Sequence, residues 1–589
     1  MSITTIFFAG NRPRFSRIRR LALPVFAVVL FLQLDCSSPA PVQTPIKIDY
    51  ADTAEGRWVD SLFNAMNEAE RLGQLFMIRA HSDKGPDHTA IVENLIKKHH
   101  VGGLCFFQGT PEKQAELTNR YQSLSPKVPL MVAIDAEWGL GMRMVATTMS
   151  FPRQLMLGAI SDNQLIYDMG KEIARQLLRI GVQVNFAPVA DVNNNPANPV
   201  IGFRSFGEDR QNVTDKSLQY MKGMQDNGVL ACAKHFPGHG DTDVDSHFDL
   251  PVIRHNMARL DSIELYPFRE LVKEGIGSVM VAHLHIPALD DRPNRPTTLS
   301  RNTITTLLKE KMGFDGLVFT DALEMEGVAK HHKPGVVEAE ALLAGNDVLV
   351  LPKDMDAALR EIKAYLKDGR LQQNQLDASV KKVLRAKYRL GLTRFSPIPA
   401  AGIKEDLHTT EAEALRRKLI ENALTLVRNE DTRLPAPKAG NIAALSIGTK
   451  DKPVFTKFLS KGNTTLKTFA VQADPPEADR NQVLKSLKSA SLVIVSLHGM
   501  TNNIKKDFGL TANARALVAE LNKQNKVALV VFGNPYSLKF FDEMGCVLEA
   551  YDEDALTQEV AAQVVLGQLQ TKGKLPVTVS AVSKYGVGE

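Results

Sequence analysis

Short apolar runs alternate with longer amphipathic stretches between residues 50 and 395 of the chain. The stretches, such as residues 163–181, carry apolar side chains at helical spacing. The runs predict eight strands: LGQLFMIRA, GGLCFF, LMVAIDAE, VQVNFAPVADV, LACAKHFPG, SVMVAHLHIP, GLVFTDALEM and NDVLVLP. Repeated strand–helix units predict an α/β protein with a parallel sheet, and eight such units favour a (β/α)8 barrel over an open doubly wound sheet.

A second domain follows the predicted barrel. Residues 396–415 are rich in proline, alanine and charge, which predicts a linker. In residues 416–589, apolar runs again alternate with helical patterns: NIAALSIG, ASLVIVSLHG, KVALVVFGNPYSL and GCVLEAY. This part predicts a smaller α/β layered sheet.

Composition places the chain among ordinary globular proteins. It has 589 residues, 44% hydrophobic and 23% charged, a length that predicts more than one domain. The net charge of +5 is small for this size, and several of the arginines lie at the extreme N-terminus, so we expect no nucleic-acid partner. Cys105, Cys232 and Cys546 are far apart in apolar surroundings, which predicts buried free thiols.

Residues 1–40 have the pattern of an export signal. Five arginines between positions 12 and 20 precede an apolar segment, residues 21–34, that is short for a membrane span. Cys36 stands where a bacterial lipoprotein carries its lipidated cysteine, although cleavage after Ala40 is an equal alternative. We therefore expect an exported protein, periplasmic or anchored to the outer membrane through a lipid on Cys36.

The segment KHFPGHGDTDVDSHFDLP, residues 234–251, holds the densest group of ionisable side chains. Pro237, Gly238 and Gly240 exclude a regular helix, so these groups lie on a loop. Because the loop leaves the end of a predicted buried strand, it is a candidate site. Its ionisable residues are Lys234, His235, His239, Asp241, Asp243, Asp245 and His247.

Polar residues also follow other predicted strands of the barrel. They are Asp135 and Glu137 after the third strand, His283 and His285 after the sixth, and Asp321 after GLVFT. In a (β/α)8 barrel the carboxyl ends of the strands form the active site, so the pattern predicts an enzyme. Taken alone, Asp321 is equally consistent with an N-cap of the next helix.

Asp245 and His247 are separated by one residue, which places both side chains on one side of an extended segment. An aspartate can fix the tautomer of such a histidine, and the pair can transfer a proton near neutral pH. The alternative is a surface loop with a solvated histidine.

A metal site is the rival interpretation, because Asp241, Asp243 and Asp245 alternate as at the start of a calcium loop. The loop then needs glycine at its sixth position and glutamate at its twelfth, where this chain has Ser246 and Val252. The zinc motif HEXXH is also absent from the sequence. We predict no metal and no other cofactor.

The loop motif KHFPGHGDTDVDSH closely resembles the signature of the glycoside hydrolase family 3 β-N-acetylglucosaminidases, bacterial enzymes that trim peptidoglycan fragments. The resemblance extends to RLGQLFM, AIDAEWG, IGFRSFGED, VMVAHLHIPALD and LSRNTITTLLKEKMGFDGLVFTDALEM in the barrel. In the second domain it includes ALTLVRNEDTRLP and FGNPYSL.

The resemblance implies a role for each matching residue. Asp321 would be the nucleophile, and Asp245 with His247 the acid/base pair. The residues that hold the sugar would be Asp135, Arg204, Lys234 and His235. Arg143 is displaced from the family motif D-x-E-G-G-R, so a surface arginine is an equal interpretation there.

Together these features predict an exported, metal-independent, retaining exo-β-N-acetylglucosaminidase. Its substrates would be muropeptides, chitooligosaccharides or related glycans. Two alternatives remain at this point: a family 3 β-glucosidase, and a non-catalytic protein that binds cell-wall glycans.

Overall fold

The computed structural model describes residues 53–246, 248–330 and 332–589. Its first domain contains eight parallel strands, in the order β7-β6-β5-β4-β3-β2-β1-β8 around one sheet. In chain order they are β1 (Phe76–Ala80), β2 (Gly103–Phe106), β3 (Met131–Ile134), β4 (Val184–Asn185), β5 (Leu230–Phe236), β6 (Ser278–Val281), β7 (Leu317–Thr320) and β8 (Leu349–Val350). Each lies within one of the eight runs that the sequence pattern predicts.

The sheet closes between its first and last members. The Thr320 amide donates to the Val348 carbonyl at 3.0 Å, and the Val348 amide donates to the Val318 carbonyl at 3.0 Å. These bonds join the end of β7 to the residues before β8, where Phe319 and Val348 form a parallel bridge. The open doubly wound sheet is therefore excluded for this domain, and the predicted (β/α)8 barrel is confirmed.

Helices surround the barrel and cover the outer face of its strands. Because both faces of a parallel sheet are buried, the strands are continuous apolar runs rather than alternating ones. The helices are α1 (Ala54–Ala65), α2 (Glu68–Gly73), α3 (Gly85–His99), α4 (Pro111–Gln122), α5 (Gln154–Leu157), α6 (Gln164–Arg179), α7 (Arg210–Gln225), α8 (Met257–Ser262), α9 (Leu265–Lys273), α10 (Glu326–Ala329), α11 (Val336–Ala344), α12 (Met355–Lys367) and α13 (Gln373–Arg389), with a π-helix at Asn302–Lys311.

The predicted linker has more structure than its composition indicates. It contains α14 (Ile403–Leu407) and the start of α15 (Thr410–Ala423), where the Thr409 side chain caps the helix. The Arg179 guanidinium donates to the carbonyls of Pro399 and Ala401 at 2.7 and 2.6 Å. The segment therefore packs on the barrel, because side chains distant in sequence satisfy its backbone.

The second domain has a six-stranded sheet in the order β11-β10-β12-β13-β14-β9. Its strands are β9 (Thr425–Asn429), β10 (Ile442–Ile447), β11 (Lys467–Val471), β12 (Leu492–Leu497), β13 (Val527–Val531) and β14 (Cys546–Glu549). Its helices are α16 (Val454–Gly462), α17 (Glu477–Leu487), α18 (Ala512–Gln524) and α19 (Ala555–Val565). All strand pairs are parallel except β9 with β14.

The predicted export signal and Cys36 lie outside the described residues. Over the ranges that the structure does cover, we find no helix with the length and apolarity needed to cross a membrane. Cys105, Cys232 and Cys546 are buried free thiols, as predicted.

Lys387 in α13 is fully buried, and its ammonium group donates to Gln74 Oε1 at 2.7 Å. Burial lowers the pKa of Lys387 to about 7. In the unfolded chain the group titrates near its ordinary value of about 10.4. Between these values only the unfolded state binds the proton, so the free energy of unfolding rises with pH across this window.

Replacing Lys387 with methionine should therefore raise the free energy of unfolding below pH 7, since no charge is then buried. This advantage over the wild type should shrink as the pH rises from about 7 to about 10.4. Chemical denaturation followed by circular dichroism measures the free energy of unfolding of both proteins at each pH. Lys363→Met, at a half-exposed lysine of α12, is the control and should show no such trend. A Lys387→Met advantage that is independent of pH would contradict this interpretation.

Candidate active site

A cavity of about 350 Å³ opens at the carboxyl ends of the barrel strands. Because all eight strands are parallel, residues at or just after the carboxyl ends of β3, β5 and β7 meet at this rim. Five of the predicted site residues line the cavity: Asp135, Arg204, Lys234, His235 and Asp321. Residues far apart in sequence thus form one site.

Lys234 connects two carboxylates at the bottom of the site. Its ammonium group lies 2.7 Å from Asp135 Oδ1 and 2.8 Å from Glu137 Oε1. Glu137 is fully buried and also accepts two hydrogen bonds from Arg204, at 2.6 and 3.0 Å. Burial alone would raise the pKa of Glu137, but the charges of Arg204 and Lys234 lower it.

Glu137 follows β3 beside Asp135, and the family resemblance implies no role for it. The structure shows that it fixes the positions of Arg204 and Lys234 while its own carboxylate is not part of the cavity wall. Glu137 is therefore a positioning residue for two sugar-holding candidates. Its place after a predicted strand identifies it as a strand-end polar residue, but only the structure shows its contacts with Arg204 and Lys234.

Asp191 is a second residue without a predicted role. It is fully buried after β4 and accepts from His235 Nδ1 at 2.7 Å and from the His239 amide at 2.7 Å. Burial opposes ionisation of Asp191, yet the facing His235 lowers its pKa. The carboxylate holds the proton of His235 on Nδ1, which leaves Nε2 beside Arg204 at 3.4 Å.

Asp321 leaves the end of β7 with its carboxylate at the cavity. Its Oδ1 accepts the amide of Ala322 at 2.8 Å, and the next helix, α10, has Met325 as its N-cap. The helix-cap interpretation is therefore wrong. Burial alone would raise the pKa of Asp321, but His283 and His235 outweigh burial and lower it, so the carboxylate is ionised at neutral pH.

His283, after β6, positions the backbone beside Asp321. The ring is fully buried, with Nδ1 2.6 Å from Thr298 Oγ1 and Nε2 3.0 Å from the Ala322 carbonyl oxygen. This contact holds the residue that follows the carboxylate. His285, by contrast, contacts the Arg295 carbonyl at 3.4 Å and does not line the cavity.

The predicted acid/base pair belongs to the loop after β5. Asp245 is described, but its predicted partner His247 lies outside the described residues. Ser246, between them, lines the cavity, and its hydroxyl is 3.2 Å from His239 Nε2. The Gly327 amide donates to the Ser246 carbonyl at 3.2 Å, so this loop contacts the segment that follows Asp321.

Arg143 lies in the cavity wall and forms an ion pair with Asp135. Its guanidinium also packs on the Phe107 ring, 4.6 Å from the ring centroid. The interpretation as a surface arginine is therefore wrong. A short 3₁₀ helix at Leu140–Met142 precedes Arg143, and the guanidinium reaches the carboxylate of Asp135, eight residues earlier in the sequence.

One cluster of metal-ligand residue types lies at the base of the loop. Carboxylate or imidazole atoms of Asp241, His255 and Glu264 are within 4.8 Å of one another. The Arg259 guanidinium donates to both Glu264 oxygens, at 2.6 and 2.5 Å, so a cation of the protein already occupies this position. We assign the cluster to the anchoring of the loop.

The model of the glycosyl hydrolase family 3 N-terminal domain matches residues 68–386. "Beta-hexosaminidase A" of Pseudoalteromonas piscicida is 30% identical over 552 residues, covering 83% of this chain and 91% of that protein. A solved family 3 β-N-acetylglucosaminidase from Paenibacillus is 29% identical, with a TM-score of 0.75, and the match covers 88% of this chain and 99% of that one. The chain belongs to glycosyl hydrolase family 3 and is a glycoside hydrolase.

Proposed function

We propose that the protein is an exo-β-N-acetylglucosaminidase that releases β-linked N-acetylglucosamine from the non-reducing end of glycans. One observation carries the proposal: the carboxylate of Asp321 lines one cavity together with Ser246, which lies between Asp245 and His247 in the sequence. Relatives named β-hexosaminidase, among them one from Mycobacterium tuberculosis that is 32% identical over 369 residues, support this substrate class.

The proposed reaction proceeds with retention through two displacements. The Asp321 carboxylate attacks the anomeric carbon while His247 donates a proton to the departing glycosidic oxygen, which gives a covalent glycosyl-enzyme. His247 then takes a proton from water, whose oxygen attacks the anomeric carbon and releases Asp321. Asp245 stabilises the imidazolium form of His247, which donates the proton in the first step and forms again in the second.

Asp135, Arg204, Lys234 and His235 bind the sugar in this proposal. Charged groups form strong hydrogen bonds with hydroxyls, and these four line the cavity already held in place by Glu137 and Asp191. Because the protein provides these bonds before the sugar arrives, little ordering is needed in the transition state.

The natural substrates that we propose are muropeptides or chitooligosaccharides, and the protein would act after export. Residues 1–40 would direct that export, with a lipid on Cys36 as the anchor to the outer membrane. The support is the sequence pattern of this segment.

β-Glucoside hydrolysis is the second candidate, because a relative from Cellulomonas fimi carries the name "Beta-N-acetylglucosaminidase/beta-glucosidase". It is 28% identical over 386 residues, covering 64% of this chain and 67% of that protein. The two candidates differ in whether the site requires the acetamido group of the sugar.

Aryl N-acetylglucosaminide and aryl glucoside, assayed side by side, distinguish the two candidates. We expect kcat/KM for the N-acetylglucosaminide to exceed that for the glucoside by at least about tenfold, equivalent to about 1.4 kcal/mol of transition-state binding. Equal or faster turnover of the glucoside would overturn the proposed substrate class. Binding of N-acetylglucosamine oligomers without release of sugar would favour the non-catalytic alternative.

A further inference from the structure

A second polar cavity, of about 180 Å³, lies between the barrel and the second domain. We propose that this interdomain cavity binds a neutral sugar ring. It shares no lining residue with the active-site cavity. The polar or aromatic residues that line it are Trp138, Ser150, Phe151 and Arg153 of the barrel, with Arg416, Asp552 and Asp554 of the adjoining segment and second domain.

Arg153 carries unused hydrogen-bond donors into this cavity. Its guanidinium packs near the rings of Trp138 and Phe203, 5.5 and 5.1 Å from their centroids. Within the described parts of the chain it makes no hydrogen bond or ion pair with another side chain. A guanidinium has five N–H donors, so a ligand with oxygen acceptors would satisfy groups that the protein leaves open.

Asp552, which also lines the cavity, supplies an acceptor. Its Oδ1 accepts the Glu553 amide at 2.7 Å, the Asp554 amide also bonds to the carboxylate, and the two oxygens together have lone pairs for further donors. Burial raises the pKa of Asp552, and the charge of Arg153 opposes this. The lining of the cavity therefore offers both hydrogen-bond donors and an acceptor.

The charges favour a neutral ligand. Arg416 and Asp554 neutralise each other through a hydrogen bond of 2.8 Å, which leaves Arg153 and Asp552 as the groups that face the space. An anion would be repelled by Asp552 and a cation by Arg153, whereas a polyol can donate to one and accept from the other.

The volume of the cavity and its aromatic lining restrict the class of ligand further. Liquid water occupies about 30 Å³ per molecule, so the cavity holds about six waters, comparable to one sugar ring. A pyranose has an apolar C–H face and a rim of hydroxyls, which fits an indole beside polar groups. We therefore assign the site to a single pyranose rather than to an oligosaccharide.

Trp138 gives a direct test, since the protein has two tryptophans and the other, Trp58, packs on Tyr388 in the barrel shell. In a Trp58→Phe protein the fluorescence reports on Trp138 alone. Titration with N-acetylglucosamine and with glucose should give a saturable change. Asp552→Ala, and Arg153→Met, which keeps the aliphatic stem, should each weaken this binding at least tenfold and leave hydrolysis of an aryl N-acetylglucosaminide within twofold of wild type.

Trp138 follows Glu137, so a ligand in the active site can also alter its fluorescence. A signal from the active site would survive Asp552→Ala and Arg153→Met and be lost in Asp135→Ala, and that result would overturn the proposal. The absence of a saturable change would overturn it as well. Because binding is measured without turnover, these outcomes do not depend on which glycoside the enzyme hydrolyses.

Discussion

Replacing Asp321 with asparagine should lower kcat for aryl N-acetylglucosaminides by at least about ten-thousandfold, because the covalent glycosyl-enzyme can no longer form. The amide has nearly the shape of the carboxylate, but it cannot attack the anomeric carbon or stabilise its positive charge. Asp135, Arg204 and Lys234 remain in place, so the Kd for N-acetylglucosamine should change by only a fewfold. Steady-state kinetics and calorimetric binding measure the two effects separately.

Asp315→Asn is the matched control. Asp315 precedes the same strand, β7, at the opposite end of the barrel, and its side chain is 92% exposed. This variant should keep wild-type kcat. An Asp321→Asn enzyme that retains more than about a tenth of the wild-type kcat would exclude Asp321 as the nucleophile.

Replacing Glu137 with alanine should have the largest effect on stability. The carboxylate is fully buried between Lys234 and Arg204, so its removal leaves two buried cations with too few partners. Breaking a buried ion pair typically costs about 3–5 kcal/mol. We expect a loss of this size in the free energy of unfolding by denaturant at pH 7, together with a strong loss of kcat/KM.

The pH dependence of stability gives a second check on Glu137. Its pKa is lowered in the folded protein, to about 2, so the stabilisation is complete above the unfolded value of about 4.3. It is lost as the pH falls from that value towards 2. Glu274→Ala removes an exposed carboxylate paired with Lys222 and should leave stability nearly unchanged. Equal effects of the two substitutions would contradict the role of Glu137.

The barrel was predictable because its strands are buried on both faces. Each strand is a short apolar run, and the chemistry lies where the run ends, as with Asp321 after β7. In the second domain two strands, β9 and β11, were not predicted. β11 is a half-exposed edge strand with Lys467 at its start, and β9 continues directly from a helix, so neither forms a separate apolar run.

The site was predictable only as far as its motifs extend. Asp321 and Lys234 lie in long motifs that imply a role for them, whereas Glu137 lies in a motif that implies none for it and Asp191 lies outside the motifs. Both act through partners about 40 to 100 residues away in sequence. The contact between Arg143 and Asp135 could not be predicted either, because it depends on the path of the chain and not on the spacing of residues in the motif. Sequence patterns identify groups at strand ends, but pairing between strand ends requires the closed barrel.

Trapping the glycosyl-enzyme tests the proposed mechanism most directly. A fluorinated N-acetylglucosaminyl fluoride forms this intermediate but hydrolyses slowly, because fluorine destabilises the positively charged transition state. Incubation with the wild-type protein should add the mass of one fluorosugar, and peptide mapping by mass spectrometry should place it on Asp321. Attachment to another residue, or no attachment in an enzyme that hydrolyses aryl N-acetylglucosaminides, would contradict the mechanism.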